Sequence, residues 1–208
     1  MIGRLGSFTN PSADLDEVLD LYLHAYVSSR LVNLVREATS SSSPASKGFP
    51  VTVSAAHVDG IVLALTPNAH SYNYRSATVF GHATLVTDVE EKLYAMRLIT
   101  DGVVPGRWEN TRVPPNKGEM ASTAVVKVKI ASGSGKVRSG GCHDDRGDLE
   151  NEEVTGRVWA GVVPVWTMYG EPVPAEYNRV GEVPGYLEEW RREENREREE
   201  VAKEAMKE

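Results

Sequence analysis

The chain has 208 residues, 40% hydrophobic and 25% charged, which describes one soluble globular domain with a sizeable core. Its 23 basic and 30 acidic residues give a formal charge of −7 and no basic stripe, which argues against a dedicated nucleic-acid binder but leaves room for one or two local cations around a small anion. One cysteine, Cys142, excludes an internal disulfide framework, no run approaches the roughly 20 apolar residues of a membrane span, and the N-terminus lacks an apolar secretory core, so the default location is cytoplasmic, with no membrane partner.

Residues 9–17, TNPSADLDE, read as a turn-rich connection. From Leu19 the residues alternate: Leu19, Leu21, Leu23 and Ala25 point one way, Asp20, Tyr22, His24 and Tyr26 the other, the pattern of a half-buried strand. The apolar spacing then becomes Leu31, Leu34, Val35, Ala38, which is a helix face. The switch falls on Ser28, Ser29 and Arg30, so a strand delivers two hydroxyls and a guanidinium to the first turn of a helix. Free backbone N–H groups there favour an anion, and arginine adds a bidentate phosphate clamp. A serine N-cap followed by a surface arginine is the competing reading.

Thr39 to Gly48 is a serine-rich insertion. Val51 to Leu65 holds two apolar runs around Asp59-Gly60, a hairpin signal, with a bent or bulged strand as the alternative. Residues 66–75 read as a polar loop and Ser76 to Val86 as a strand. Thr87 with Glu90 makes a capping box for a helix that places Val89, Leu93, Met96 and Val103 on one face. A proline-rich excursion follows, then a strand with Val126, Val128 and Ile130 inward and Lys127 and Lys129 outward.

GSGKVRSGG presents Lys136 and Arg138 on a glycine-rich loop. It fails as a nucleotide phosphate loop, because Val137 follows Lys136 and Ile130 stands where the first glycine belongs. Cys142, His143, Asp144 and Asp145 are ligand types, but adjacent residues do not easily converge on one ion, so no metal site is expected. After an acidic loop comes a last strand, GRVWAGVVPVWTMYG. From Pro184 the chain is helical and heavily charged, with Glu188–Arg192, Glu194–Arg198 and Glu199–Lys203 at favourable i,i+4 spacing. It reads as a solvated helix anchored at Leu187 and Trp190.

Taken together, LYLHAYVSSR, HVDGIVLAL, NYRSATVFG, KVRSGG and WAGVVPV resemble, in order, the motifs of the pyridoxamine 5'-phosphate oxidase-like FMN-binding split barrels, in the flavin-nucleotide-binding branch that includes nitroimidazole-resistance proteins. The resemblance covers roughly residues 1–170. It implies a mainly β fold, a barrel with flanking helices, over residues 1–178, with 179–208 as a charged helical tail. It implies FMN as cofactor and a homodimer. It assigns the phosphate to the Ser29–Arg30 pair, so the expected phosphate site is Ser28, Ser29 and Arg30 with Arg75 and Ser76 converging on it; flavin contacts go to Asn73, Tyr74, Arg75 and Ser76, for which a loop capping a barrel end is the alternative. His24, Lys136, Arg138 and Trp159 would border the site; for His24 a half-buried strand histidine, for Lys136 and Arg138 a solvated loop, and for Trp159 a core position are the alternatives. Ala25 replaces the family's glycine after the histidine.

The family also carries a hairpin before LYLH, so the chain is expected to lack it, to expose a sheet edge and to hold FMN weakly. The arginine–histidine pair that binds substrate in true pyridoxamine phosphate oxidases has no counterpart in WAGVVPVWTMYGEPVPAEYN. The implied activity is therefore flavin-dependent oxidoreduction of an unidentified small molecule; a non-catalytic flavin or haem binder and a truncated structural remnant are the alternatives.

Overall fold

The computed structural model describes residues 1–14, 16–40 and 47–207; most of the serine-rich insertion lies outside them. Six antiparallel strands form one sheet in the order β1-β2-β5-β4-β3-β6. They are β1 (Gly3–Gly6), β2 (Asp20–Tyr26), β3 (Phe49–Leu63), β4 (Ser71–Leu85), β5 (Thr123–Arg138) and β6 (Gly161–Pro164). The helices are α1 (Arg30–Ser40), α2 (Val89–Val103), α3 (Lys117–Ser122), α4 (Arg146–Leu149), α5 (Glu152–Arg157) and α6 (Gly185–Glu204). The mainly β split-barrel expectation holds. Two compact units divide the chain: unit 1 is Met1–Val53 with Thr78–Gly133, and unit 2 is Ser54–Ala77 with Ser134–Glu208.

In unit 1, β2 pairs with β1 on one side and β5 on the other, Leu21 opposite Leu5 and Val128. On the side expected to be polar, His24 and Tyr26 are exposed, and Tyr22 is the exception. Leu21 and Leu23 pack with Val32 and Val35 of α1 and with Val126 and Val128. Tyr22, on the side expected to be polar, is 0% exposed and packs with Ala95 and Ile99 of α2. Its hydroxyl donates to Glu91 Oε1 at 2.8 Å, and Lys127 Nζ donates to the same oxygen at 2.8 Å. Burial first, and the Glu91 bond second, push the Tyr22 phenol well above its ordinary range.

Two helix details differ from the sequence expectation. Asp88, not Thr87, caps α2 by accepting from the Glu91 N–H. The buried stripe of α2 runs through Ala95 and Ile99, while Val89 and Val103 are exposed.

In unit 2, Asp59-Gly60 makes no hairpin. β3 runs through it, and Gly60 does not have a positive φ, which the tight hairpin turn requires. The glycine serves close approach instead: a Cβ there would lie 2.9 Å from Val162 Cγ1 on the paired strand β6. The 71–75 stretch is strand, not loop, and Lys136 and Arg138 lie within β5 rather than on a loop. The last strand shortens to β6, with α4 and α5 before it. The anchors of α6 do not end at Trp190: Ala202 is 0% exposed, and Ala205 O accepts from the Gly140 N–H at 2.9 Å. Among the described residues, no helix is long and apolar enough to cross a membrane.

Candidate functional site

The sequence-assigned residues fall into two groups, one in each unit. In unit 1, β2 ends at Tyr26 and a three-residue turn, Val27, Ser28 and Ser29, leads into α1. Every carbonyl of that turn is occupied. Tyr26 O accepts from the Ser29 N–H at 2.9 Å, Val27 O from Arg36 Nη2 at 3.2 Å, Ser28 O from Asn33 Nδ2 at 3.3 Å and Ser29 O from the Asn33 N–H at 3.0 Å. What the turn still offers is donors. The first N–H groups of a helix have no intrahelical acceptor, and Arg30 is exposed and makes no hydrogen bond or ion pair among the described residues.

Ser29 Oγ is buried and has no hydrogen-bond partner among the described residues. It therefore does not act as the N-cap. In contrast, Asp88, Asn116 and Asn151 each accept from a first-turn N–H of α2, α3 and α5. An orphaned hydroxyl, free helix N–H groups and an unpaired guanidinium are the donor set of an oxyanion, and this turn fits a terminal phosphate.

His24 belongs to another surface. It stands exposed on the α2 side of β2, where it lines an apolar groove of about 320 Å³ with Ile2, Met96, Ile99 and Val103. Ala25 packs against the core that α1 covers.

In unit 2 the second motif is largely engaged internally. Asn73 is 0% exposed; its Nδ2 donates to Gly140 O at 3.0 Å and Ala205 O at 2.9 Å, and its Oδ1 accepts from Arg138 Nη1. Arg75 forks onto the buried carboxylate of Asp59, Nε at 2.8 Å and Nη2 at 2.9 Å. That hydrogen-bonded pairing raises the Arg75 pKa above its ordinary value. Ser76 Oγ donates to Lys136 O at 3.3 Å, and Lys136 Nζ sits 5.7 Å from the Tyr74 ring centroid. Structure thus brings Asn73 to Arg138 and Tyr74 and Ser76 to Lys136. Trp159 is no core residue: it is 65% exposed, and its ring lies against Gly161, where a Cβ would be 2.8 Å from Cη2.

Cys142 and Asp144 are bonded to the backbone. Cys142 Sγ donates to Leu63 O at 3.0 Å and Asp144 Oδ1 accepts from the Leu65 N–H at 2.8 Å, so both close the end of β3. Among the described residues no group of three or more His, Cys, Asp or Glu is placed to hold a metal ion.

Sequence reasoning missed Asp59 and Arg198 as site-forming groups. Asp59 was absorbed into a turn signal, and Arg198 into a solvated charge run; only the pairing of each with its partner sets it apart.

Comparison with known proteins agrees with this architecture. The family model described as Pyridoxamine 5'-phosphate oxidase matches residues 15–137, a stretch that ends just before Arg138. Among solved structures, the FAD and heme binding protein from Mycobacterium smegmatis is 28% identical, covering 83% of this chain and 77% of its own, with a TM-score of 0.69. The flavocytochrome Anf3 from Azotobacter vinelandii is 26% identical, covering 91% of this chain and 84% of its own, with a TM-score of 0.67. No curated protein matches. With more than half of the chain matched by the family model, and with the split-barrel sheet in place, this chain belongs to the pyridoxamine 5'-phosphate oxidase family.

Proposed function

We propose that the chain is a flavin-nucleotide-binding protein whose flavin phosphate seats on the turn between β2 and α1, held by Ser28, Ser29, Arg30 and the first N–H groups of α1. The observation that carries this reading is the buried Ser29 Oγ beside Arg30, neither with a partner among the described residues. A buried hydroxyl without a partner costs about 1–3 kcal/mol, which an arriving phosphate oxygen would offset once the side chain turns toward it. FMN is the proposed nucleotide, since one terminal phosphate satisfies the donor set. When bound, the flavin supplies electron or hydride transfer to or from a small molecule.

The residues of the chain bind and orient. Arg30 fixes the phosphate by a planar fork, and Ser29 supplies one hydroxyl donor. Family membership and the printed descriptions of two structural neighbours support the flavin reading. A cytoplasmic homodimer completes the proposal: Val58, Tyr72 and Val137 in unit 2 are exposed apolar side chains on long strands, available to a second copy.

A second reading, FAD with haem, is favoured by the description of the Mycobacterium smegmatis neighbour and by the apolar groove bordered by the His24 imidazole. Denaturing release followed by mass spectrometry separates FMN from FAD and haem. Titration of the apo-protein tests the site: Arg30→Ala should lose about 1.5–3 kcal/mol of flavin affinity and Arg30→Lys less, because lysine keeps the charge without the fork. Unchanged affinity in Arg30→Ala removes Arg30 from the site.

A further inference from the structure

We propose that unit 2 carries a binding site for a small carboxylate with an apolar or aromatic body, built on two arginines that the fold holds rigid. A cavity of about 410 Å³ lies among residues of β3, the segment after β6 and α6, and both Arg75 and Arg198 line it. Its volume falls in the range of ordinary small-molecule sites.

Each arginine is anchored along one edge. Asp59, only 4% exposed, takes Nε and Nη2 of Arg75 at 2.8 and 2.9 Å. Glu194 Oε2 takes Nε and Nη2 of Arg198 at 3.1 and 2.9 Å, and Arg198 Nη2 also reaches the Tyr169 hydroxyl at 2.9 Å. The Arg198 guanidinium rests over the Tyr169 ring, 4.8 Å from its centroid. Tyr169 is itself fixed, because Asn195 bonds both its N–H and its carbonyl, at 2.7 and 2.9 Å.

In both arginines Nη1 makes no hydrogen bond among the described residues. Arg75 keeps its Nη1–Nη2 edge free, and Arg198 keeps Nη1, because its Nη2 is shared between Glu194 and Tyr169; two guanidiniums pinned in this way are pre-organised oxyanion donors. Little rotamer entropy remains to be lost when an anion arrives.

The walls decide the rest of the ligand. Val58, Val165, Val201 and the Trp166 ring supply apolar surface. Asp59 and Glu194 already neutralise the two arginines, while Glu197, also lining the cavity, is exposed and unpaired among the described residues. That carboxylate opposes a doubly charged ligand, so the geometry favours a monoanionic carboxylate over a phosphate dianion. The arginines and the tryptophan recognise head and body, respectively. This site uses none of Ser28, Ser29 or Arg30 and stands independently of the flavin reading.

The test is ¹⁹F NMR titration of the full-length protein with 4-fluorobenzoate, with 4-fluorobenzamide as neutral isostere and inorganic phosphate as competitor. The expected result is saturable benzoate binding and weaker amide binding, with little displacement by phosphate. Arg198→Gln should weaken benzoate binding about tenfold or more, and Glu197→Gln should tighten it. Arg75→Lys, which keeps a cation beside Asp59 and so protects folding, should also weaken it. Flavin content should not change in Arg198→Gln or Glu197→Gln, which separates this outcome from that of the flavin proposal. No saturable binding of benzoate at millimolar concentration overturns the inference. So does binding indifferent to Arg198→Gln and Arg75→Lys, or phosphate displacing benzoate at equal concentration.

Discussion

Replacing Asn73 tests whether the second family motif is an internal clamp in this chain. Asn73 is fully buried, gives two neutral hydrogen bonds, to Gly140 O at 3.0 Å and Ala205 O at 2.9 Å, and accepts one from the Arg138 guanidinium. A neutral hydrogen bond contributes roughly 1 kcal/mol net, and one to a charged group somewhat more. Arg138 is partly exposed and can turn to water, and Ala205 O keeps its bond from the Gly140 N–H, so only Gly140 O is stranded. Asn73→Ala should therefore cost about 3 kcal/mol. Asn73→Asp should cost more, although it retains the acceptor for Arg138, because it points a carboxylate oxygen at two carbonyls. Urea unfolding gives the stability order parent, Ala, Asp. Limited trypsin digestion should report early cleavage at Arg191, Arg192 and Arg196 as the end of α6 comes loose. A change below about 0.5 kcal/mol for Asn73→Ala, within the usual range for a surface substitution, or an Asp variant more stable than the Ala variant, refutes the clamp.

Three further outcomes are expected. Tyr22 and Tyr94 both have phenol pKa values raised chiefly by burial, so the native state retains protons that the unfolded chain releases near pH 10. Stability is thus fully present below about pH 10 and falls as pH rises beyond it, and Tyr22→Phe should flatten that alkaline decline in chemical-denaturation series. Truncation after Arg191 removes the buried Ala202 and the Ala205 acceptor, and should lower the thermal midpoint; an unchanged midpoint would mean that α6 packs without consequence. Gly81→Ala places a Cβ 2.4 Å from Lys129 O, so the β4–β5 approach has to shift, at a cost of roughly 1–3 kcal/mol in urea titrations.

What was legible in the sequence was whatever depends on short-range period. The change from alternation to helical spacing at Ser28 marks the end of β2 and the start of α1 within a residue or two. The ordered motifs located the fold family. What was hidden depends on partners far along the chain. Asn73, Tyr74 and Arg75 look like the end of a loop because polar or amphipathic residues stand together there. They belong to a strand that lies between β5 and β3, and their polar side chains are used by distant partners: Asn73 meets Gly140 and Ala205, 67 and 132 residues away, and Arg75 meets Asp59. The α2 cap shifted by one residue for a related reason. Thr87 and Asp88 both satisfy the local capping pattern, and the choice goes to Asp88, whose N3 residue Glu91 is also the acceptor for Tyr22 and Lys127.

Polar residues inside a motif therefore carry two meanings that composition does not separate. An arginine that follows two serines and an arginine inside NYRS look equally suited to a phosphate. In the fold, Arg75 has its fork on a buried carboxylate, while Arg30 stands beside an orphaned hydroxyl with no counter-charge of its own among the described residues. A guanidinium already neutralised along one edge gains less from a dianionic phosphate than one that faces solvent alone. On that difference the proposed phosphate site is assigned to Arg30, and Arg75 is left for the proposed carboxylate, which its free edge, together with Nη1 of Arg198, would hold with a single negative charge.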